Sequence, residues 1–392
     1  MTTATTSRWV VLTALGLVAI NLRTLLTSIP AVTVDIQADT GWSDVSIGLL
    51  TTVPVVFMGA VALIVPTIAA RFGRTQTVWL ALAVLAIAAG IRLWSTVPGV
   101  LPLSVVLAGT GIALASGLMP SIVREQLPDA IGASTGLWTS VMFAGATLGA
   151  ALTVPLAQLT GSWQAALALW AVPATIAFLA WAIVERPWRR GPDAGMSRVR
   201  LSSLPWRSPI AWALTAYMAI NSVVFYGAVA WIAPSLDERG WNAEESGWLF
   251  GLFAFSQIVG GFALPWLTQN MPGRRVVWVL TVVVTTACLV IFAVDPTLAT
   301  PLTLFLFGAS NAGGFAMSLG MLSEFAPNGA ASARLTAMAF TVTYLVAALG
   351  PTLAGAILQV FNSWVTVFLV LAVIALAQLA TIVPLRKGSV IG

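Results

Sequence analysis

The sequence predicts an all-α membrane protein, with twelve transmembrane helices in two pseudo-symmetric six-helix halves, on three observations. Hydrophobic residues make up 59% of the 392 and charged residues only 8%, against about a quarter charged in soluble domains. Basic residues gather on one side of the apolar runs, and a set of short motifs recurs at an offset of about 200 residues.

The apolar content fits the span count. Twelve helices of about 20 residues use about 240 residues, or about 61% of the length. Runs bounded by charges, Pro or Gly place spans 1 to 6 near 9–35, 45–70, 75–94, 99–123, 131–158 and 163–184. Spans 7 to 12 follow near 209–235, 246–269, 275–294, 299–322, 332–360 and 364–384. Between the sets lies the one long polar stretch, Glu185 to Ser208, which carries Arg186, Arg189, Arg190, Arg198, Arg200 and Arg207. The expected organisation is an N-terminal half (1–184), a basic cytoplasmic linker (185–208) and a C-terminal half (209–392). No removable signal peptide is expected, because the run from Trp9 to Ile20 continues into a longer helix.

Charge fixes the expected orientation. With the N-terminus cytoplasmic, the inner side holds Arg8, Arg71, Arg74, Arg124, the linker arginines, Arg274, Arg275, Arg334, Arg386 and Lys387, 15 of 18 basic residues. The outer side holds Arg239 beside eight acids: Asp35, Asp39, Asp44, Asp237, Glu238, Glu244, Glu245 and Asp295. This is the positive-inside pattern. It predicts a multi-pass protein of the cytoplasmic membrane with both termini cytoplasmic. The pI near 10.3 then reports topology, and no nucleic acid is expected as a partner. Trp9, Trp42, Trp94, Trp163, Trp188, Trp241 and Trp364 fall at expected span ends and read as interfacial anchors.

The chain has no histidine and one cysteine, Cys288, which excludes histidine-based triads, haem ligation and intrachain disulfides. No ATP-binding loop is present. The chain is therefore read as not an enzyme, with no metal and no cofactor. Its expected partners are the lipid bilayer and a small-molecule substrate, and no protein partner is required.

The repeat runs through the chain in order. Ala19-Ile20-Asn21 recurs as Ala219-Ile220-Asn221, Pro66 as Pro265, and Gly73-Arg74 as Gly273-Arg274. Leu148-Gly149, Gln158 and Ser162-Trp163 recur as Leu349-Gly350, Gln359 and Ser363-Trp364. Two parallel six-helix halves related by an axis along the membrane normal form the major facilitator architecture. Gly145-x-x-x-Gly149 in span 5 has the spacing of close helix packing, and Pro351 is expected to bend span 11.

Several motifs carry a resemblance. Ala70-Arg71-Phe72-Gly73-Arg74 resembles the D-R-x-G-R loop of the major facilitator superfamily, with Ala70 replacing the acid. A gating role is implied for Arg71, Gly73 and Arg74, less any ion pair that needs the missing acid. Gly109-Thr110-Gly111 lacks the preceding arginine of drug/proton antiporters, because Val105 stands there. Asn21-Leu22-Arg23 with Thr27-Ser28, then Gly48-Leu49-Leu50-Thr51-Thr52-Val53-Pro54, resembles the cyanate/nitroimidazole transporter family. Gly90-Ile91-Arg92, Pro128-Asp129 and Thr135-Gly136-Leu137-Trp138 fit the same pattern. The resemblance implies transport of small anions or small nitrogen heterocycles.

Arg23 is the leading candidate for substrate binding. It lies about 14 residues into span 1, hence about 21 Å along it, and a charge at that depth needs a protein or water environment. No acid is expected at similar depth, and a guanidinium offers several donors in a fixed fork. Thr27, one turn on, shares its face. Arg92, two residues before Trp94, reads as snorkelling to the outer interface, with a second charge site as the alternative. Asn21, Asn221, Tyr226, Gln257, Asn311 and Tyr344 read as cavity lining or as helix-to-helix hydrogen bonds. Trp138 and Phe143 read as an aromatic wall or as lipid-facing packing.

The expected function is secondary or facilitative transport of a small anion or small polar nitrogenous solute by alternating access, with a central arginine on the substrate. The alternative is an exporter of neutral or aromatic xenobiotics. No histidine or mid-membrane carboxylate offers itself as a proton carrier.

Overall fold

A computed structural model describes residues 8–185, 203–295 and 300–386. Most of the expected linker, 186–202, lies outside the described residues, as do Trp188 and Lys387. Among the described residues there is no strand. Eleven helices are long and apolar enough to cross a membrane, and a twelfth forms from Ser46–Ala62 and Val65–Phe72, which meet at 57°. In order, the others are span 1 (Val10–Val32), span 3 (Arg74–Trp94), span 4 (Val100–Gln126), span 5 (Pro128–Thr160) and span 6 (Trp163–Ile183). Spans 7 to 12 are Pro209–Ile232, Glu245–Asn270, Arg274–Val294, Thr300–Glu324, Gly329–Phe361 and Trp364–Ile382.

Matched prolines act differently in the two halves. Pro66 is in the first turn of Val65–Phe72, where the missing N–H costs nothing, and the chain bends just before it. Pro265 lies inside the unbroken helix Ala243–Asn270. A proline leaves the carbonyl four residues earlier without its helical donor. For Pro265 that carbonyl is Gly261 O, and the Thr139 hydroxyl donates to it at 3.0 Å. With its freed carbonyl satisfied, span 8 stays whole. Span 11 is interrupted as Pro351 predicts: Gly329–Ala347 ends, and Gly350–Phe361 begins with Pro351 in its first turn.

The chain divides into two compact units. The first comprises Met1–Pro128, Val141–Leu204 and Asn328–Ala337; the second comprises Asp129–Ser140, Pro205–Pro327 and Met338–Gly392. In the second, Phe225, Phe253 and Phe307 stack in series with ring centroids 6.4 and 5.7 Å apart. Each unit turns large apolar side chains outward, such as Ile183 at 71% exposure and Val373 at 68%, as helices bathed in lipid require.

The repeat reappears as contacts. At one end of the spans Arg74 pairs with Glu125 at 2.5 Å and Arg274 with Glu324 at 2.6 Å. At the other end the Trp163 indole donates to Asp39 at 2.7 Å and the Trp364 indole to Glu238 at 2.6 Å. Ser162 and Ser363 cap the helices that these tryptophans open. The anchor reading of Trp163 and Trp364 is thereby corrected. Both are buried, and both tie the start of a span to an acid from elsewhere in the same unit.

Candidate functional site

Span 1 is segmented. Helix Arg8–Ala19 gives way at Ile20 to Asn21–Thr27, and Pro30 opens a 3-10 turn, Pro30–Val32. The short middle segment carries Arg23 and Thr27. Arg23 is half-buried, with its guanidinium carbon 5.6 Å from the centre of the Phe143 ring, a geometry worth about 0.5–1 kcal/mol at an accessible site. Phe143 itself is buried.

The same segment is seamed to span 5. The Thr24 hydroxyl donates to Gly145 O at 3.0 Å and the Thr27 hydroxyl to Ala146 O at 2.8 Å. Gly145 and Gly149 permit this approach. A Cβ at Gly145 would collide with Ile20 O, and one at Gly149 would stand 2.7 Å from Thr24 O. The Gly-x-x-x-Gly spacing thus fixes where Arg23 meets Phe143. Asn21 faces elsewhere, its amide donating to Leu17 O at 2.9 Å and to Pro173 O of span 6 at 3.4 Å.

Arg92 does not snorkel. It is fully buried, and its guanidinium reaches across three spans: Nε to Ser104 Oγ at 3.3 Å, Nη1 to Ser28 Oγ at 3.1 Å and Nη2 to Leu25 O at 3.1 Å. Leu25 O is one of the terminal carbonyls of Asn21–Thr27, which lack a complete set of helical donors. Three internal acceptors hold Arg92 there. Ser28 is five residues past Arg23, about 140° around an ideal helix, so Arg92 braces the segment from a side that Arg23 does not occupy. Arg92→Lys keeps the charge but reaches fewer acceptors. It is expected to lose about 1–2 kcal/mol through the groups left unpaired, read as a lowered midpoint of thermal unfolding in detergent. An unchanged midpoint would remove Arg92 from this role.

In the second unit, Asn221 and Asn311 exchange hydrogen bonds. Each amide donates to the other's backbone carbonyl, at 3.2 and 3.3 Å, bolting span 7 to span 10. Gln257 is 9% exposed, and Tyr226 is half-buried with its ring edge-on to Phe225 at 5.2 Å. Tyr344 is buried edge-on to Phe340 at 5.3 Å. Trp138 is 1% exposed, so lipid-facing packing does not describe it. Nor do Trp138 and Phe143 form one wall. Five residues apart, they point about 140° away from each other, and they fall in different units.

At the loop between spans 2 and 3, Gly73 has φ of 94°, a value that a side chain disfavours. It opens the turn that delivers Arg74 to Glu125. The ion pair is made without an acid at position 70. Arg71 is exposed, with its guanidinium 5.5 Å from the Phe72 ring. Glu125 and Glu324 are not singled out by the sequence, and Asp39 and Glu238 enter there only as acids of the expected outer side. Their signal was available, because Glu125 and Glu324, and likewise Asp39 and Glu238, are separated by the repeat offset of about 200 residues.

Comparison with known proteins agrees with this architecture. The profile of the Major Facilitator Superfamily matches residues 11–241 and 232–388. The chain is 30% identical over 375 residues to a protein named "Uncharacterized transporter YycB" of Bacillus subtilis (strain 168), covering 94% of this chain and 91% of that protein. It is 29% identical over 373 residues to the 2-nitroimidazole transporter of Escherichia coli (strain K12), covering 94% and 93%. It is 26% identical over 356 residues to the cyanate transport protein CynX of the same organism, covering 90% and 91%. The proton:xylose symporter XylE, solved with 6-bromo-6-deoxy-D-glucose, superposes with a TM-score of 0.75 at 15% identity, over 97% of this chain and 96% of that one. At that identity the likeness concerns the fold alone.

Proposed function

The chain belongs to the major facilitator superfamily, and from that premise we propose that it carries a small anion or small polar nitrogenous solute across the cytoplasmic membrane by alternating access, with Arg23 on the substrate. The observation that carries this reading is the placement of Arg23: a half-buried guanidinium on a short segment in the middle of span 1, set against Phe143. The relatives named for cyanate and 2-nitroimidazole support the substrate class. Cyanate is a linear anion and a nitroimidazole is a planar heterocycle, yet both present acceptor atoms at one end. A guanidinium fork donates to either.

A second reading, export of neutral or aromatic solutes, is favoured by the Phe225–Phe253–Phe307 stack beside Tyr226. The two separate in proteoliposomes. Carriage of cyanate that 2-nitroimidazole and nitrate both inhibit supports the first reading. Carriage of 2-nitroimidazole indifferent to small anions supports the second.

The orientation is proposed from charge alone: inner termini and an inner linker. In a Cys288→Ser background, Gly195→Cys is expected to stay unlabelled by an impermeant thiol reagent in intact cells and to react after permeabilisation. Labelling of intact cells would reverse the orientation.

A further inference from the structure

Hydroxyls buried in a helix ordinarily donate to the carbonyl four residues back. Span 5 obeys this along most of its length. Thr139 donates to Thr135 O at 2.7 Å, Thr147 to Phe143 O at 3.1 Å and Thr153 to Gly149 O at 2.6 Å, while Ser140 reaches Ile258 O at 2.8 Å. Two buried hydroxyls depart from the rule. Ser134 Oγ and Thr135 Oγ1 have no hydrogen-bond partner among the described residues, and neither does the indole Nε1 of Trp138. All three residues are 1% exposed.

The three are not scattered. Residues 134, 135 and 138 fall within about 100° of arc and one turn of an ideal helix. The adjoining side of the helix is spent on span 8, where Thr139 reaches Gly261 O and Ser140 reaches Ile258 O. The bonded hydroxyls and the unmatched groups thus occupy separate arcs. An unmatched buried donor costs about 1–3 kcal/mol, and groups left this way in a native fold call for a partner from outside it. What the partner must be follows from the donors. An indole N–H can only donate, and a hydroxyl gives one proton, so the face offers hydrogens and asks for lone pairs. With two oxygens and no carboxylate it is a poor cation site.

We propose that Ser134, Thr135 and Trp138 form a second subsite for the transported solute, which takes a small group rich in acceptors and without donors of its own: the end of a small anion, or a nitro group. The inference rests on the proposed transport function and deepens it.

Trp138→Phe tests this most cleanly, because it keeps an aromatic ring and removes the N–H. Thermal stabilisation of the purified full chain is titrated with cyanate, with nitrate and with 2-nitroimidazole, for the unaltered protein, Trp138→Phe, Ser134→Ala/Thr135→Val and Arg23→Ala. The expected result is an unfolding midpoint without ligand that stays within a degree or two in the span 5 variants. Half-maximal stabilisation shifts about tenfold to higher ligand in each of them, about one hydrogen bond to a charged group. If the span 5 variants bind as the unaltered protein does while Arg23→Ala does not, the face holds water only, and the subsite is overturned with the transport reading intact. If none of the three probes stabilises the unaltered protein, both readings fall together.

Discussion

Arg23→Ala is expected to abolish substrate-dependent stabilisation and transport while the chain still inserts and folds. Removing a guanidinium from mid-membrane lightens the cost of insertion, since a charge there is worth about 2.5–3.5 kcal/mol against the helix. Among what folding loses is the contact with Phe143, about 0.5–1 kcal/mol. Binding loses charge-assisted hydrogen bonds to the solute, which are roughly twice as strong as neutral ones. The variant should therefore have a near-normal unfolding midpoint with no shift on adding cyanate or 2-nitroimidazole. Arg23→Lys should be badly impaired, because it keeps the charge and loses the planar fork. Full affinity in well-folded Arg23→Ala would make the arginine structural and take the anion reading down with it.

Gly145→Ala should cost more in stability, although it removes no polar side chain. A Cβ there meets Ile20 O, and stands 2.9 Å from the Thr24 hydroxyl. Backbone cannot be pushed aside as a flexible side chain can, so spans 1 and 5 must part. Overpacking of this kind costs about 1–3 kcal/mol, and the hydrogen bonds Thr24 to Gly145 O and Thr27 to Ala146 O are strained with it. A loss of about 2–3 kcal/mol is expected, together with weakened substrate stabilisation, because the seam sets where Arg23 meets Phe143. Gly16→Ala is the control: it lies in span 1, the other side of the seam, and its Cβ would meet nothing within 4 Å. Equal behaviour of the two variants would show that the seam is not tight.

The span count and the repeat were legible because they rest on composition and on ordered motifs, which survive any packing. So was the Gly145/Gly149 contact, since its spacing has one common use. Direction around a helix was not legible. Arg92 two residues before Trp94 suggested the interface, and only three acceptors drawn from spans 1 and 4 hold it inside. Asn221 and Asn311 read as cavity lining or helix-to-helix hydrogen bonds, but that they pair with each other was hidden, because each partner is a backbone carbonyl on a span about 90 residues away. Carbonyls are everywhere and leave no mark in a sequence. Trp163 and Trp364 misled for the opposite reason: tryptophan at a span end has a strong ordinary explanation, and here the acids Asp39 and Glu238 override it.

The four end contacts, Arg74 with Glu125, Arg274 with Glu324, Trp163 with Asp39 and Trp364 with Glu238, have a consequence for where this backbone breathes. A helix in water frays from its tips, and its centre exchanges amide protons last. Here the tips are sealed by charge. The discontinuities fall between them instead: at Ile20, at the bend between Ser46–Ala62 and Val65–Phe72, and where Gly329–Ala347 stops short of Gly350. The break at Ile20 adjoins the segment that carries Arg23, so its amides are expected to exchange before those of the sealed helix ends and to slow when solute is bound.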